Sequence, residues 1–444
     1  MHLAESRNID LASAVQDAED RYATANPLSY RRWIEASRAM PGGNTRTTLH
    51  FSPYPLGIAG GAGARLTDLD GHVYTDLLGD YTAGLYGHSH PVIAAAIHRA
   101  VDQGIMLGGP NLHEAELAAT LVARFPALDL VRFCNSGTEA NLLAIMTARA
   151  FTGRNKVMVF RGGYHGATFI FPKAPTAITA PFDWVIADYN DLDGAQALAR
   201  ENADDLAAIL LEPMMGNAGG INAEPGFLQG LRDLARETGA VLIFDEVMTS
   251  RMSDGGLQKL LGVTPDMTTL GKYMGGGLTF GAFGGKAEIM EIFDPTRPNT
   301  LGHGGTFNNN VLSMAAGAAG LREVFTAEAA AALFALGEAL REGINAVARR
   351  HGSTLVALGC GSIMNLHFHD GPCRQPSDLW VADPDEAAKR MAQLTLLHLD
   401  LLERGFYIAR RGLIAPSVPV TQADVDAFLA ALDEILTVRG DLLA

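Results

Sequence analysis

The 444-residue sequence reads as an α/β protein built on a largely parallel sheet, and three observations carry that reading. Between about 91 and 327, short apolar runs alternate with helical stretches, the pattern of a sheet covered on both faces. One run, Val241–Phe244, is β-branched and aromatic, follows Gly239 and leads into Asp245-Glu246. Further on, Thr268-Thr269-Leu270-Gly271-Lys272 is closed by Tyr273, Met274 and three glycines. Open α/β sheets hold their ligands beyond the C-terminal ends of the strands, so these acids and this lysine fall where a site belongs.

The elements follow in chain order. Residues 9–40 form two helical segments broken at Asn26-Pro27, with Tyr30, Trp33, Ile34 and Met40 giving a partly apolar face. Such an arm packs on the main body or on a second subunit. Residues 41–46, Pro-Gly-Gly-Asn-Thr-Arg, are a loop by composition. The short runs at 57–79, around Asp68-Leu69-Asp70-Gly71, predict a hairpin-like meander. Strands are expected at Val131–Cys134, Lys156–Phe160, Trp184–Ala187, Ala208–Leu211, Val241–Phe244, Thr268–Leu270 and Ala282–Gly284. Helices over 113–125, 138–151, 226–238 and 311–325 lie between several of them. After 328 come a long helix, strands around Leu355 and over Ile363–Phe368, a helix at 384–404 and a last one from 421. This divides the chain into an arm with part of a small domain (1–75), a large domain (76–327) and the rest of a smaller α+β domain (328–444).

Composition narrows the classes. With 48% hydrophobic and 19% charged residues the chain is a globular protein, not a disordered one. A formal charge of −15 argues against nucleic-acid and anionic-membrane partners, which both select basic surface. Three scattered cysteines, Cys134, Cys360 and Cys373, imply no disulfide framework. Acids interrupt the N-terminus before any apolar stretch, so no secretory signal is read there, and no apolar run reaches the ~20 residues of a membrane span. A cytoplasmic location is expected.

A strand-end carboxylate and a lysine in a glycine-rich turn are what pyridoxal phosphate chemistry needs. The amine forms a Schiff base with the cofactor aldehyde, and the carboxylate keeps the pyridine nitrogen protonated so that the ring accepts electrons. Asn135-Ser136-Gly137-Thr138-Glu139 follows a strand and opens a helix. Helix N-termini bind anions, which makes Ser136, Gly137 and Thr138 candidates for the cofactor phosphate, although alone the stretch is also an ordinary helix cap. Tyr164, between Gly163 and His165-Gly166, could lay its ring on the pyridine face; His165 itself is left open. Arg46, in a glycine-rich loop, and Arg411 are candidates for holding substrate carboxylates in their guanidinium forks, with Arg410 competing.

These runs, Phe244–Thr249, Gly262–Asp266 and Thr268–Lys272, closely resemble the class III aminotransferases. The likeness extends from about Pro41 to the C-terminus. Within the family it is nearest the branch holding glutamate-1-semialdehyde aminomutase and the β-phenylalanine aminotransferases. The resemblance implies the aspartate aminotransferase-like PLP fold type I, with Lys272 as catalytic residue and Asp245 on the pyridine nitrogen. It implies phosphate binding by Ser136, Gly137 and Thr138, Tyr164 against the ring, and Glu212 of Glu212-Pro213 near it. Thr306, in Gly305-Thr306-Phe307-Asn308, aligns with a threonine that reaches the phosphate of the neighbouring subunit, which implies a homodimer with shared sites. The implied reaction moves an amino group from a β-amino acid such as β-phenylalanine to 2-oxoglutarate or pyruvate. The rival is the aminomutase, which moves the amino group within one molecule. Its lid region is longer than the segment between Tyr164 and Tyr189, and its Gly-Thr-Leu-Ser-Gly-Asn-Pro form differs from Gly305–Asn310. Tyr81-Thr82-Ala83-Gly84 and Tyr86-Gly87-His88 likewise look more like the β-phenylalanine enzymes. A non-catalytic cofactor-binding protein is a remoter alternative.

Overall fold

The computed structural model describes residues 10–173 and 175–444. Its centre is a seven-stranded sheet: β1 (Leu130–Cys134), β2 (Lys156–Phe160), β3 (Trp184–Ala187), β4 (Leu206–Leu211), β5 (Val241–Asp245), β6 (Met267–Gly271) and β7 (Gly281–Gly285). In space they run β1-β7-β6-β5-β4-β2-β3. Every pairing is parallel except those of β7, which lies antiparallel to β6 and to β1. The middle strands β4 and β5 are buried at every residue, which is why they read as unbroken apolar runs and not as alternating ones.

The reversed strand β7, Gly-Ala-Phe-Gly-Gly, fills a narrow slot. A methyl on Gly284 would come within 3.0 Å of the Val131 Cα, and one on Gly285 within 2.9 Å of the Met267 side chain. Glycine is required there by the closeness of the neighbouring backbones. Two further departures from the sequence expectations are local. Met214–Met215 and Ile221–Asn222 form a small hairpin. The helix at 311–325 is α-helical over Val311–Ala319 and then widens into a π-turn over Gly320–Val324, where Gly320 lies against the Tyr86 ring.

The remaining elements draw on both ends of the chain. Ile58–Ala62, Arg65–Asp68 and Val73–Asp76 make the expected antiparallel meander, and Phe406–Tyr407 adds to it, parallel to Val73–Asp76. Leu355–Cys360, Ile363–Phe368 and Leu413–Ile414 make a second antiparallel sheet. One apolar cluster joins Ala14, Tyr22, Phe51 and Leu77 to Leu340, Ile344, Leu396 and Phe428. The two N-terminal helices, Leu11–Ala25 and Pro27–Ser37, break at Asn26, whose backbone N–H caps the first while Pro27 opens the second. Among the described residues no helix is long and apolar enough to cross a membrane.

This topology sets the site. Because β1, β2, β4, β5 and β6 run the same way, their C-terminal ends bring Ser136, Tyr164, Glu212, Asp245 and Lys272 to one edge of the sheet.

Candidate active site

Lys272 follows β6 directly and opens a short 3-10 turn, Lys272–Gly275. Its φ of 55° lies in the left-handed region, a strained place for a residue that carries a side chain. Its Nζ donates to the Tyr81 carbonyl at 2.7 Å. Burial lowers its pKa from 10.5 to about 8; Asp80 and Asp245 pull it up, Arg46 and Arg251 down. An amine lowered this far has a far larger neutral fraction near physiological pH than an ordinary lysine, and the neutral form is the one that acts as nucleophile or base.

Asp245 ends β5 and is buried. Its Oδ2 accepts from Asn141 Nδ2 at 2.8 Å and lies 2.8 Å from His165 Nδ1, while Oδ1 accepts from the Val247 N–H at 3.0 Å. Asn141 in turn accepts from Thr269 Oγ1 at 2.8 Å, the residue paired with Asp245 across β5 and β6. The carboxylate is therefore fixed by three neighbours, with an acceptor position left on Oδ1. Glu246 goes elsewhere. It is fully buried and accepts from Leu257 N, Gln258 N, Gln258 Nε2 and Thr249 Oγ1, so it belongs to packing and not to the site.

The Gly137–Thr152 helix starts at Ser136, whose Oγ accepts from the Glu139 N–H at 3.1 Å. Thr138 Oγ1 accepts from the Ala167 N–H at 3.2 Å, and Gly166 lies so close to Thr138 that a Cβ could not be added. Gly137 is held against Val247, with only 2.9 Å for a Cβ. The helix start is thus capped, and its other first-turn N–H groups have no partner within the helix.

A cavity of about 620 Å³ joins Gly137, Thr138, Tyr164, Glu212, Asp245 and Lys272 with Arg46 and Arg411. Ser136 lines the groove next to it, which shares Lys272, Arg46 and Gly137. Burial pushes Glu212 up to about 7, and its oxygens accept from the Tyr164 and Gly216 N–H groups at 3.2 and 3.1 Å. The two guanidinium groups face one aromatic ring: Arg46 lies 5.3 Å and Arg411 5.7 Å from the centre of Tyr81. Arg46 also pairs with Asp80 at 2.6 Å, and Arg411 donates to Asn217 Oδ1 at 2.7 Å. Arg410 points away, onto Met391 Sδ at 3.1 Å. Thr306 lies exposed in its loop and does not line this cavity.

Sequence reasoning missed Asn141, Thr269, Asn217 and the part played by Tyr81, and it gave His165 no role. Asn141 was within reach: it stands one helical turn beyond Gly137, on the same face. Nothing local marks the others, because their partners are far away in sequence.

The sequence matches the family Aminotransferase class-III over residues 50–436. It is 48% identical over 430 residues to the beta-phenylalanine transaminase of Variovorax paradoxus, covering 97% of each chain. The crystal structure of the beta-phenylalanine aminotransferase from that organism superposes with a TM-score of 0.94, at 47% identity, over 98% of this chain and 99% of that one. A glutamate-1-semialdehyde aminomutase structure from Pseudomonas aeruginosa superposes at 0.88 but with 26% identity, over 96% of this chain and 98% of the other. With its lysine after β6, its aspartate at the end of β5 and its match over most of the length, the chain belongs to the class III, pyridoxal-phosphate-dependent aminotransferases.

Proposed function

We propose that this enzyme moves an amino group from a β-amino acid of the β-phenylalanine type to a keto acid such as 2-oxoglutarate or pyruvate. The observation that carries the reading is the pair of guanidinium groups, Arg46 and Arg411, set on Tyr81 beside Lys272. Donor and acceptor each bring a carboxylate, and guanidinium forks bind carboxylates bidentately. Arg46 would take the carboxylate of the donor and Arg411 that of the keto acid. Ile170, Ile178 and Met248 add apolar wall on the same cavity, which suits an aromatic side chain. The Variovorax relative, named for β-phenylalanine, supports the same class of donor.

The residues fit pyridoxal phosphate. Asp245 lines the cavity with an acceptor position open for a pyridine N–H, and the first turn at Ser136, Gly137 and Thr138 suits a phosphate. When bound, the cofactor draws electrons from the substrate carbon that carries nitrogen. Lys272 would hold its aldehyde and, once freed by the donor amine, move the proton as a base. Tyr164 would lie against the ring, with Glu212 beside it. Thr306, outside the cavity of its own chain, would reach the phosphate of a second subunit, so that the working unit is a cytoplasmic homodimer with shared sites.

The test is a panel of donors given to the purified enzyme with 2-oxoglutarate or pyruvate. β-Phenylalanine is expected to react only when a keto acid is present. Isomerisation of glutamate-1-semialdehyde with no keto acid added would assign the aminomutase reaction instead. Cofactor binding without turnover of any donor would leave a non-catalytic protein.

A further inference from the structure

Arg251 is wholly buried, and among the described residues no carboxylate pairs with it. It stands on the Thr249–Met252 turn, just past Asp245. Its Nε donates to Ser362 Oγ at 2.9 Å, one Nη donates to the Pro416 carbonyl, and Nη1 has no partner. A buried guanidinium left without an acid is expensive to keep. Its position shows what it does.

Ser362 is the turn between Leu355–Cys360 and Ile363–Phe368, and Pro416 lies two residues beyond Leu413–Ile414. Arg251 therefore reaches from the end of β5 to the strap that runs from Arg411 to Pro416. That strap touches the far side of the site as well. The Ala415 N–H donates to the Leu77 carbonyl at 2.6 Å, and Gly79 lies so near the Ala415 carbonyl that a Cβ there would come to 2.7 Å. Gly79 starts a run of four residues with positive φ: 53° at Gly79, 43° at Asp80, 55° at Tyr81 and 75° at Thr82. Left-handed backbone in three successive residues that carry a Cβ is unfavourable, and it lasts only where the surroundings impose it. This run presents the Tyr81 carbonyl to Lys272, Asp80 to Arg46, and the Tyr81 ring to both arginines.

We propose that Arg251 is a positioning residue for the active site, pinning the Arg411–Pro416 strap and, through Ala415, the Gly79–Thr82 turn against Lys272. The inference rests on the roles given above to Lys272 and Arg411. Its charge works the same way. After burial, the groups acting on the Lys272 amine are Asp80, Arg46, Asp245 and Arg251, and the two arginines favour the neutral amine. Tyr273 is the titratable group that faces Arg251 itself.

The test compares the parent holoenzyme with Arg251→Met and Arg251→Lys. In Arg251→Met the KM for the keto acid is expected to rise about tenfold or more, since small misplacements of binding groups are costly. The spectral titration of the Lys272–cofactor linkage is expected to move to higher pH. Arg251→Lys, which keeps the charge but not the fork, should return the titration toward the parent and leave KM raised. Parental KM and titration in Arg251→Met overturn the proposal, and so does a lowered melting temperature with both readouts parental. Should Arg251→Met fail to fold, Arg251→Lys decides, and a parental KM there overturns it. Borohydride labelling of the parent at a lysine other than Lys272 would instead overturn the functional reading, whatever Arg251 does.

Discussion

His165 Nδ1 stands 2.8 Å from Asp245 Oδ2, both side chains buried, so the imidazole fixes the carboxylate from behind. With the carboxylate accepting, Nδ1 carries the hydrogen and Nε2 is left without a partner. His165→Phe is expected to keep cofactor but to lower kcat by roughly 10- to 100-fold, because the carboxylate is no longer held in place. Asp245→Asn should lose more, by orders of magnitude, since a carboxamide does not hold a proton on a pyridine nitrogen. Parental kcat in either variant would contradict the arrangement.

Lys272 should be the residue labelled when the holoenzyme is reduced with borohydride and digested. Only the neutral amine attacks an aldehyde, and the Lys272 amine is held near pH 8. Uptake of cofactor by the apoenzyme should therefore quicken as pH rises from 6.5, pass its half-maximum near 8 and level off about a unit higher. A rate flat across that range would show that the amine does not titrate there.

The carboxylate role of Arg46 is tested by a donor that lacks a carboxylate. Arg46 is close to half exposed, so the low end of a charged contact applies, about 2 kcal/mol or roughly 30-fold in kcat/KM. Arg46→Ala should impair β-phenylalanine by that factor and 1-phenylethylamine far less. Equal losses on both would remove the role.

Thr306 gives a test by mixing subunits. Lys272→Ala and Thr306→Ala homodimers should each be impaired, whereas a hybrid of the two carries one site with both residues intact if Thr306 serves its partner. Recovery of up to about half the parental activity per dimer is the expected result, and no recovery would place Thr306 outside the partner's site.

His398 bears on stability alone. It is fully buried, both ring nitrogens lack partners, and burial lowers its pKa from 6.5 to about 3. Between those values the unfolded chain binds the extra proton, so stability falls as pH drops below 6.5, by up to about 1.4 kcal/mol per unit from this group. His398→Leu should raise the melting temperature at pH 7, by an amount equivalent to about 1–3 kcal/mol, and make the acid limb shallower. An unchanged acid limb would assign that slope to other groups.

The sequence was most informative where chemistry and local backbone coincide. Lys272 announces itself by its glycines, and Ser136–Thr138 by a strand running into a helix. The family resemblance pointed to Asp245; strand periodicity alone does not separate it from Glu246, since successive side chains at a strand end point to opposite faces and both acids are buried. The reversed direction of β7 was hidden too, because three of its five residues are glycines and carry no facing pattern. Tyr81, Asn217 and His165 act through partners from 80 to 194 positions away, which only the assembled fold brings near. Arg410 and Arg411 were indistinguishable as neighbours; the strap directs one to Met391 and the other to Asn217.

The pairing of Val73–Asp76 with Phe406–Tyr407 has a consequence for biosynthesis. About 330 residues separate the two strands, so the ribosome takes on the order of 15–65 s to deliver the second after the first. Throughout that interval the Val73–Asp76 edge has no cover and is free to pair with another nascent chain. Full-length protein should therefore be recovered in better yield when expression is lowered, so that fewer nascent chains meet, or when a chaperone that shields strand edges is supplied early, and a chain truncated before Phe406 should aggregate through its first hundred residues.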